Sequence, residues 1–149
     1  MVYPYIRIFD DQAAMTSPPQ LFRALADRTR LRIVNLLARG SLCVCDIQRI
    51  LAQPQSSVSR HLALLKSAGL IRDRRDGMRI FYRLTVWDSP LARAVLTAIR
   101  AHLAAEEDYG ADIDELMRLR EKGDCHEEPK GSGIAQRPAR RATERHPEA

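Results

Sequence analysis

Residues 46 to 84, "DIQRILAQPQSSVSRHLALLKSAGLIRDRRDGMRIFYRL", constrain the fold more than any other part of the chain. In "DIQRIL", Ile47, Ile50 and Leu51 share one side of a helix, and Asp46 stands where it can cap the start. "QPQSS" breaks the pattern, because proline brings no N–H and clashes with a preceding helical turn. A second helix runs from about Ser56 to Ala68. It stops at Gly69, a residue that readily takes the left-handed conformation in which helices end. "LIRDRRDGMRIFYRL" then reads as two short strands around Asp76-Gly77, the pair most favoured in a two-residue hairpin turn. Two helices joined by a tight turn and followed at once by a hairpin predict a winged helix-turn-helix.

The flanking chain completes that unit. Ser17 before Pro18 and Pro19 marks the start of a helix over "QLFRALAD". Asp27 can cap a second, "RTRLRIVNLLAR", with Leu31, Val34 and Leu37 at helical spacing and Gly40 placed to end it. Beyond the hairpin, Asp88, Ser89 and Pro90 open a long helix to about Asp108, a span on the order of 30 Å. Leu91, Val95, Leu96, Ala98, Ile99 and Leu103 cover more than one of its faces. A small core cannot bury both, so one face is expected to pack on a second copy of the chain. "DIDELMRLREK" predicts a short final helix. From Gly123 onward the chain has almost no large apolar residue, the composition of a disordered tail. The expected fold class is mainly α (α+β): a winged helix-turn-helix with a two-stranded wing and a long C-terminal dimerisation helix. The expected organisation is an N-terminal extension over 1–16, a DNA-binding and dimerisation domain over 17–121, and a tail over 122–149.

Composition narrows the function. At 149 residues and 45% hydrophobic content the chain has room for one domain with a buried core. No apolar run approaches the length that spans a bilayer, and "MVYPYIRIFDDQ" reaches Asp10 and Asp11 before any signal-like segment, so a cytoplasmic protein with no membrane partner is expected. Three cysteines are few and odd in number, which predicts free thiols rather than a disulfide framework. The net charge of +5 is unevenly spread. Residues 55–83 carry seven basic side chains against two acidic ones, and residues 84–128 carry eleven acidic against five basic. Such polarity suits a polyanion touched through one face.

The second helix of the unit has the face for it. At about 100° per residue, Leu62 and Leu65 fall within roughly 40° of Val58 and define a buried side. Ser56, Arg60, Ala63 and Ser67 fall opposite. A narrow face of small hydroxyls, one alanine and one arginine fits the major groove of double-stranded DNA. Arg60 is the candidate for a guanine edge, Ser56, Ser57 and Ser59 for phosphates or bases, and Gln55 for an adenine. His61 lies on the flank, a place for packing or hydrogen bonding. In the hairpin, Arg74, Arg75 and Arg79 lie near the tip, within reach of the flanking minor groove or the backbone phosphates.

Cys43 and Cys45 precede this unit with one residue between them, closer than the C-x-x-C pairs common in zinc sites. On a regular helix residues two apart point about 200° away from each other, so one ion can hold both sulfurs only where the backbone is irregular. An ion that drew them together would strain the start of the helix-turn-helix, and thiolate pairs select soft ions over magnesium or calcium. Residues 21 to 84, with "LCVCD" followed by "SSVSRHLALLKSAGLI" and the hairpin, resemble the ArsR/SmtB family of metal-sensing repressors, in its arsenic-responsive branch. The resemblance implies a homodimer that sits on operator DNA, blocks an arsenic-resistance operon and lets go when As(III) or Sb(III) binds Cys43 and Cys45. It implies no resident cofactor. That branch often carries a third cysteine three residues after the second, where this chain has Gln48. Cys125, in "GDCHEE", is the only other thiol and the candidate third ligand, with a small cellular thiol or water as alternatives. The family's zinc branch pairs ligands on the long helix, where only His102 and Glu106 offer anything similar. Two rival readings are a thiol redox or other soft-metal sensor on DNA, and a thiol enzyme or metal carrier.

Overall fold

The structure, a computed structural model, describes residues 17–85 and 89–128. The expected extension over 1–16, the tail beyond residue 128 and the helix-opening Asp88 lie outside them. The described residues form α1 (Pro18–Leu25), α2 (Arg28–Leu37), β1 (Leu42–Cys43), α3 (Val44–Leu51), α4 (Gln55–Ser67), β2 (Ile71–Asp76), β3 (Arg79–Leu84), α5 (Pro90–His102), a 3-10 turn (Leu103–Ala105) and α6 (Glu107–Glu121). This is a winged helix-turn-helix, mainly helical.

The starts and stops of the helices follow local chemistry. The Gln20 side chain accepts from the Ser17 N–H at 3.1 Å, and the Asp27 carboxylate accepts from the Arg30 N–H at 2.9 Å, so α1 and α2 are capped at the positions the sequence marks. α3 ends on Ala52, which takes the left-handed conformation (φ 52°). Pro54 then starts α4, its carbonyl accepting from the N–H groups of Ser57 and Val58. At the end of α4 Gly69 has φ 75°. There the Leu70 N–H bonds to the Leu65 carbonyl and the Gly69 N–H to that of Lys66, which satisfies the last carbonyls and turns the chain into β2.

Four expectations are corrected. Asp46 does not cap α3: Cys43 holds that position in extended conformation, and Asp46 sits inside the first turn, 1% exposed. The hairpin loop is Gly77-Met78, one residue later than expected, because Asp76 pairs with Arg79 across the ladder and Gly77 takes the positive φ (59°). The wing gains a third strand, since Leu42 and Cys43 pair with Tyr82 and Phe81 to give the order β1-β3-β2. The long helix is broken: α5 stops at His102, and after the 3-10 turn α6 runs for 15 residues from Glu107. Gly110 explains how tightly α6 leaves that break, for a Cβ there would stand 2.5 Å from the Ala104 carbonyl oxygen. His102 and Glu106 therefore do not share one helix.

The core gathers Leu21, Ile33, Leu36, Leu42, Ile47, Leu62, Leu65, Leu70, Ile71, Leu116 and Leu119, each at most 2% exposed. Each such side chain contributes about 1.5–3 kcal/mol relative to the exposed state. α6 is part of this core rather than an appendage. Arg32 of α2 grips Asp112 of α6 through two bonds of 2.7 Å, and the Asn35 amide donates to the Tyr109 carbonyl at 3.1 Å. An ion pair between Arg28 and Asp108 continues the seam.

Candidate nucleic-acid interface and thiol site

α4 is set by its buried edge. Val58, Leu62 and Leu65 are 0% exposed, and that fixes Gln55, Ser56, Ser59, Arg60, Ala63 and Ser67 on the open face. Among the described residues no ion pair holds Arg60. Ser57 is half-buried, and its hydroxyl donates to Gln53 Oε1 at 3.3 Å while the Gln53 amide donates to Thr29 Oγ1 at 3.3 Å. This chain ties the start of α4 to α2. His61 lies on the flank with Nδ1 3.6 Å from Asp27 Oδ1. In the hairpin Arg75 and Arg79 are exposed beside the tip, where Met78 is almost wholly exposed. Arg74 is half-buried and paired with Glu128 at 3.2 Å. Lys66, at the end of α4, pairs with Asp73 at 2.8 Å and braces the hairpin against the helix. α4 thus presents a small polar face, and the hairpin tip carries two exposed arginines.

The thiol site lies at the junction of sheet and helix. Cys43 is extended (φ −66°, ψ 145°) and pairs with Phe81, whereas Cys45 is in the first turn of α3. The regular-helix separation of about 200° does not apply across this junction. The backbone irregularity that joint action of the two sulfurs demands is therefore present. The structure joins them in a disulfide with Cα atoms 5.3 Å apart, against the expectation of free thiols. The extended residue turns its side chain toward that of its helical neighbour, and the Cα separation falls in the range disulfides use.

Three residues complete the surroundings. α6 ends at Glu121 and the chain turns at Gly123 (φ 70°), with the Asp124 N–H bonded to the Leu119 carbonyl and the Gly123 N–H to that of Arg120. That turn sends residues 124–128 back over the start of α3. Asp46 meets them there: it accepts from the His126 backbone N–H at 2.9 Å, its Oδ1 lies 3.2 Å from His126 Nδ1, and the Cys125 thiol donates to Oδ2 at 3.5 Å. His126 Nδ1 is 3.3 Å from Cys45 Sγ. Cys43, Cys45 and His126 offer one donor atom each within 4.8 Å of one another. Burial, then the neighbouring Asp46 charge and its hydrogen bond, push the Cys125 thiol above its ordinary pKa. Cys125 thus lies beside the pair but faces the carboxylate. Gln48 is half-buried on α3, one turn beyond Cys45. His126 escaped the sequence reading, although it adjoins the one cysteine that reading placed in the tail.

Among the described residues no helix is long and apolar enough to cross a membrane. A family model described as "Bacterial regulatory protein, arsR family" matches residues 27–73. The chain is 36% identical over 118 residues to the arsenic resistance transcriptional regulator ArsR1 of Pseudomonas putida, covering 76% of this chain and 85% of that protein. It is 55% identical over 69 residues to the arsenical resistance operon repressor of Escherichia coli, a match over 46% of this chain and 59% of that protein's length. Among solved structures, HlyU from Vibrio cholerae superposes with a TM-score of 0.50 at 31% identity, covering 54% of this chain and 85% of that one.

Proposed function

The chain belongs to the bacterial arsR family of regulatory proteins, and from that footing we propose that it is a homodimeric transcriptional repressor of an arsenic-resistance operon, released from operator DNA when As(III) or Sb(III) binds Cys43 and Cys45. The observation that carries the reading is the pairing of the two sulfurs at the first turn of α3, one tight turn before the helix with the small polar face. Reduced, the pair offers two thiolates to a soft ion, and the strain of binding is delivered where α3 begins. Gln55, Ser56, Ser57, Ser59 and Arg60 would meet the major groove, and Arg74, Arg75 and Arg79 the flanking phosphates or minor groove. Leu91, Val95, Leu96 and Ala98 leave partly open apolar surface on α5, suited to a second copy. A dimer of this kind reads an imperfect palindrome with half-sites about one helical turn apart. The relatives named above regulate transcription, which leaves no support for a thiol enzyme or metal carrier.

The test is a gel shift with the DNA upstream of the protein's own gene, with and without arsenite. Wild type should bind and be released. Cys43→Ser with Cys45→Ser should bind and stay, because serine keeps the size and lacks the soft donor. A double variant unable to bind DNA would make the cysteines structural and end the sensor reading. Trivalent arsenic prefers three sulfurs, and Cys125 is the third this reading uses. Cys125→Ser should therefore weaken arsenite release, measured without added thiol, and Gln48→Cys should restore it from one turn beyond Cys45. A second reading, oxidation as the signal, is favoured by the disulfide itself. Release by oxidant without arsenite, lost in the double serine variant, would select it.

A further inference from the structure

We propose that residues 124–128, which follow α6, form an autoinhibitory strap: Glu128 holds Arg74 of the hairpin in an ion pair that DNA must break, so the docked strap lowers affinity for duplex DNA. The proposal rests on the reading of Arg74 as a DNA contact and adds a brake built into the chain itself. Of the three hairpin arginines, Arg75 and Arg79 are exposed, whereas Arg74 is half-buried and its Nη1 donates to Glu128 Oε1 at 3.2 Å. A carboxylate and a phosphate make the same kind of charge-assisted bond with a guanidinium, and a phosphate brought to Arg74 would stand beside the like charge of Glu128. The two therefore compete.

The strap is anchored at its start, which keeps Glu128 in place. Arg49 of α3 pairs with the Asp124 carboxylate at 3.8 Å and donates to the Asp124 carbonyl at 3.4 Å. Asp46, itself 1% exposed, accepts from the His126 N–H at 2.9 Å and from the Cys125 thiol at 3.5 Å. Sheet register explains why a segment fixed there ends on Arg74. Cys43, Phe81 and Arg74 stand in one row across β1, β3 and β2, and residues directly opposite on antiparallel strands share a face. Crossing that row takes two strand spacings of about 4.8 Å each, which two extended residues after His126 and a glutamate side chain cover. His126 Nδ1 lies 3.3 Å from Cys45 Sγ at one end, and Glu128 meets Arg74 at the other. One segment thus links the start of α3 to the wing.

The test measures the affinity of the full chain, reduced and free of inducer, for the DNA upstream of its own gene and for a random duplex over a range of salt. A contact from Arg74 to phosphate carries no sequence information, so its release should show on both. Glu128→Gln keeps the shape and removes the charge. It should tighten binding about two- to fivefold, the span of a partly exposed ion pair, and steepen the salt dependence by about one phosphate contact. Glu127→Gln removes the same charge from an exposed neighbour with no ion pair among the described residues, and should leave affinity and salt slope near those of wild type. In an Arg74→Ala background, Glu128→Gln should change nothing. A gain that Glu127→Gln matches, or one that survives Arg74→Ala, would be an effect of net charge and would overturn the proposal, as would a Glu128→Gln protein that binds like wild type. Binding with no preference for the upstream DNA, but with the Glu128→Gln gain intact, would sink the repressor reading and keep the strap. Arsenite-released binding in which Glu128→Gln brings no gain would do the reverse.

Discussion

Arg60 and Asp27 show how differently two charged residues of one fold are used. Arg60 is exposed on α4 with no ion pair among the described residues, so little holds it back from a base edge. Arg60→Ala should weaken binding to the specific site by about 1–3 kcal/mol and relax one position of the sequence preference. Equal loss on specific and random DNA would reduce Arg60 to a phosphate contact. Asp27 works inside the molecule. Its carboxyl is held below the ordinary pKa chiefly by the hydrogen bond from the Arg30 N–H; burial is the next-largest effect and opposes it, and the Arg30 and His61 charges lower the value further. A lowered folded-state pKa means that the cap stabilises fully above the ordinary carboxylate range and loses its contribution as pH falls through the folded value. Asp27→Ala should cost about 1 kcal/mol at neutral pH. The gap between wild type and variant should shrink in acid, as thermal melts at several pH values would show. A gap independent of pH would mean that the charge of the cap does not matter.

Between elements, the seam of α2 with α6 makes the last helix part of the domain. Asp112 is buried and Arg32 half-buried, and their two bonds cross from one helix to the other. Asp112→Ala leaves the half-buried arginine without its partner and should cost about 1–3 kcal/mol in denaturant unfolding. Replacing both, Arg32→Met with Asp112→Leu, should recover most of that loss, because no charge is then stranded. A single variant costing under about 1 kcal/mol would show the pair behaving as a solvated surface bridge. α2 and α4 were legible because apolar spacing agrees with the Asp27 cap of one and the Gly69 stop of the other, α1 by Ser17 and its prolines, and α3 by apolar spacing alone. The break at Leu103–Ala105 was not, since residues 91–108 contain no proline or glycine and the apolar spacing runs through it. Its one trace is Gly110, a few residues on, where only a missing Cβ permits the close approach. β1 escaped for a related reason: two residues are too short for an alternating pattern, and only pairing with β3 makes them a strand.

At the scale of the whole molecule, the thiol pair stands where the parts meet. Cys43 is the register partner of Phe81 in the strand that also carries the hairpin, Cys45 is in the helix that leads into α4, and residues 124–128 arrive from α6. Sequence could name the two cysteines and the helix they precede. It could not name His126, because that histidine lies 81 residues from Cys45 and is brought back only by the packing of α6 and the turn at Gly123. A site at such a hub has a thermodynamic consequence. If arsenite weakens operator binding by some factor, operator must weaken arsenite binding by the same factor, since both paths lead to the same ternary complex. We expect a factor of about 5–150, the ordinary range for coupled sites. Arsenite affinity should therefore be measured by calorimetry on the reduced protein, free and saturated with operator, beside operator affinity with and without arsenite. Equal factors would establish that Cys43 and Cys45 act through one equilibrium shared with the DNA-binding face. Arsenite binding of equal strength with and without DNA would mean that the ion does not bias that face at all, however tightly the sulfurs hold it.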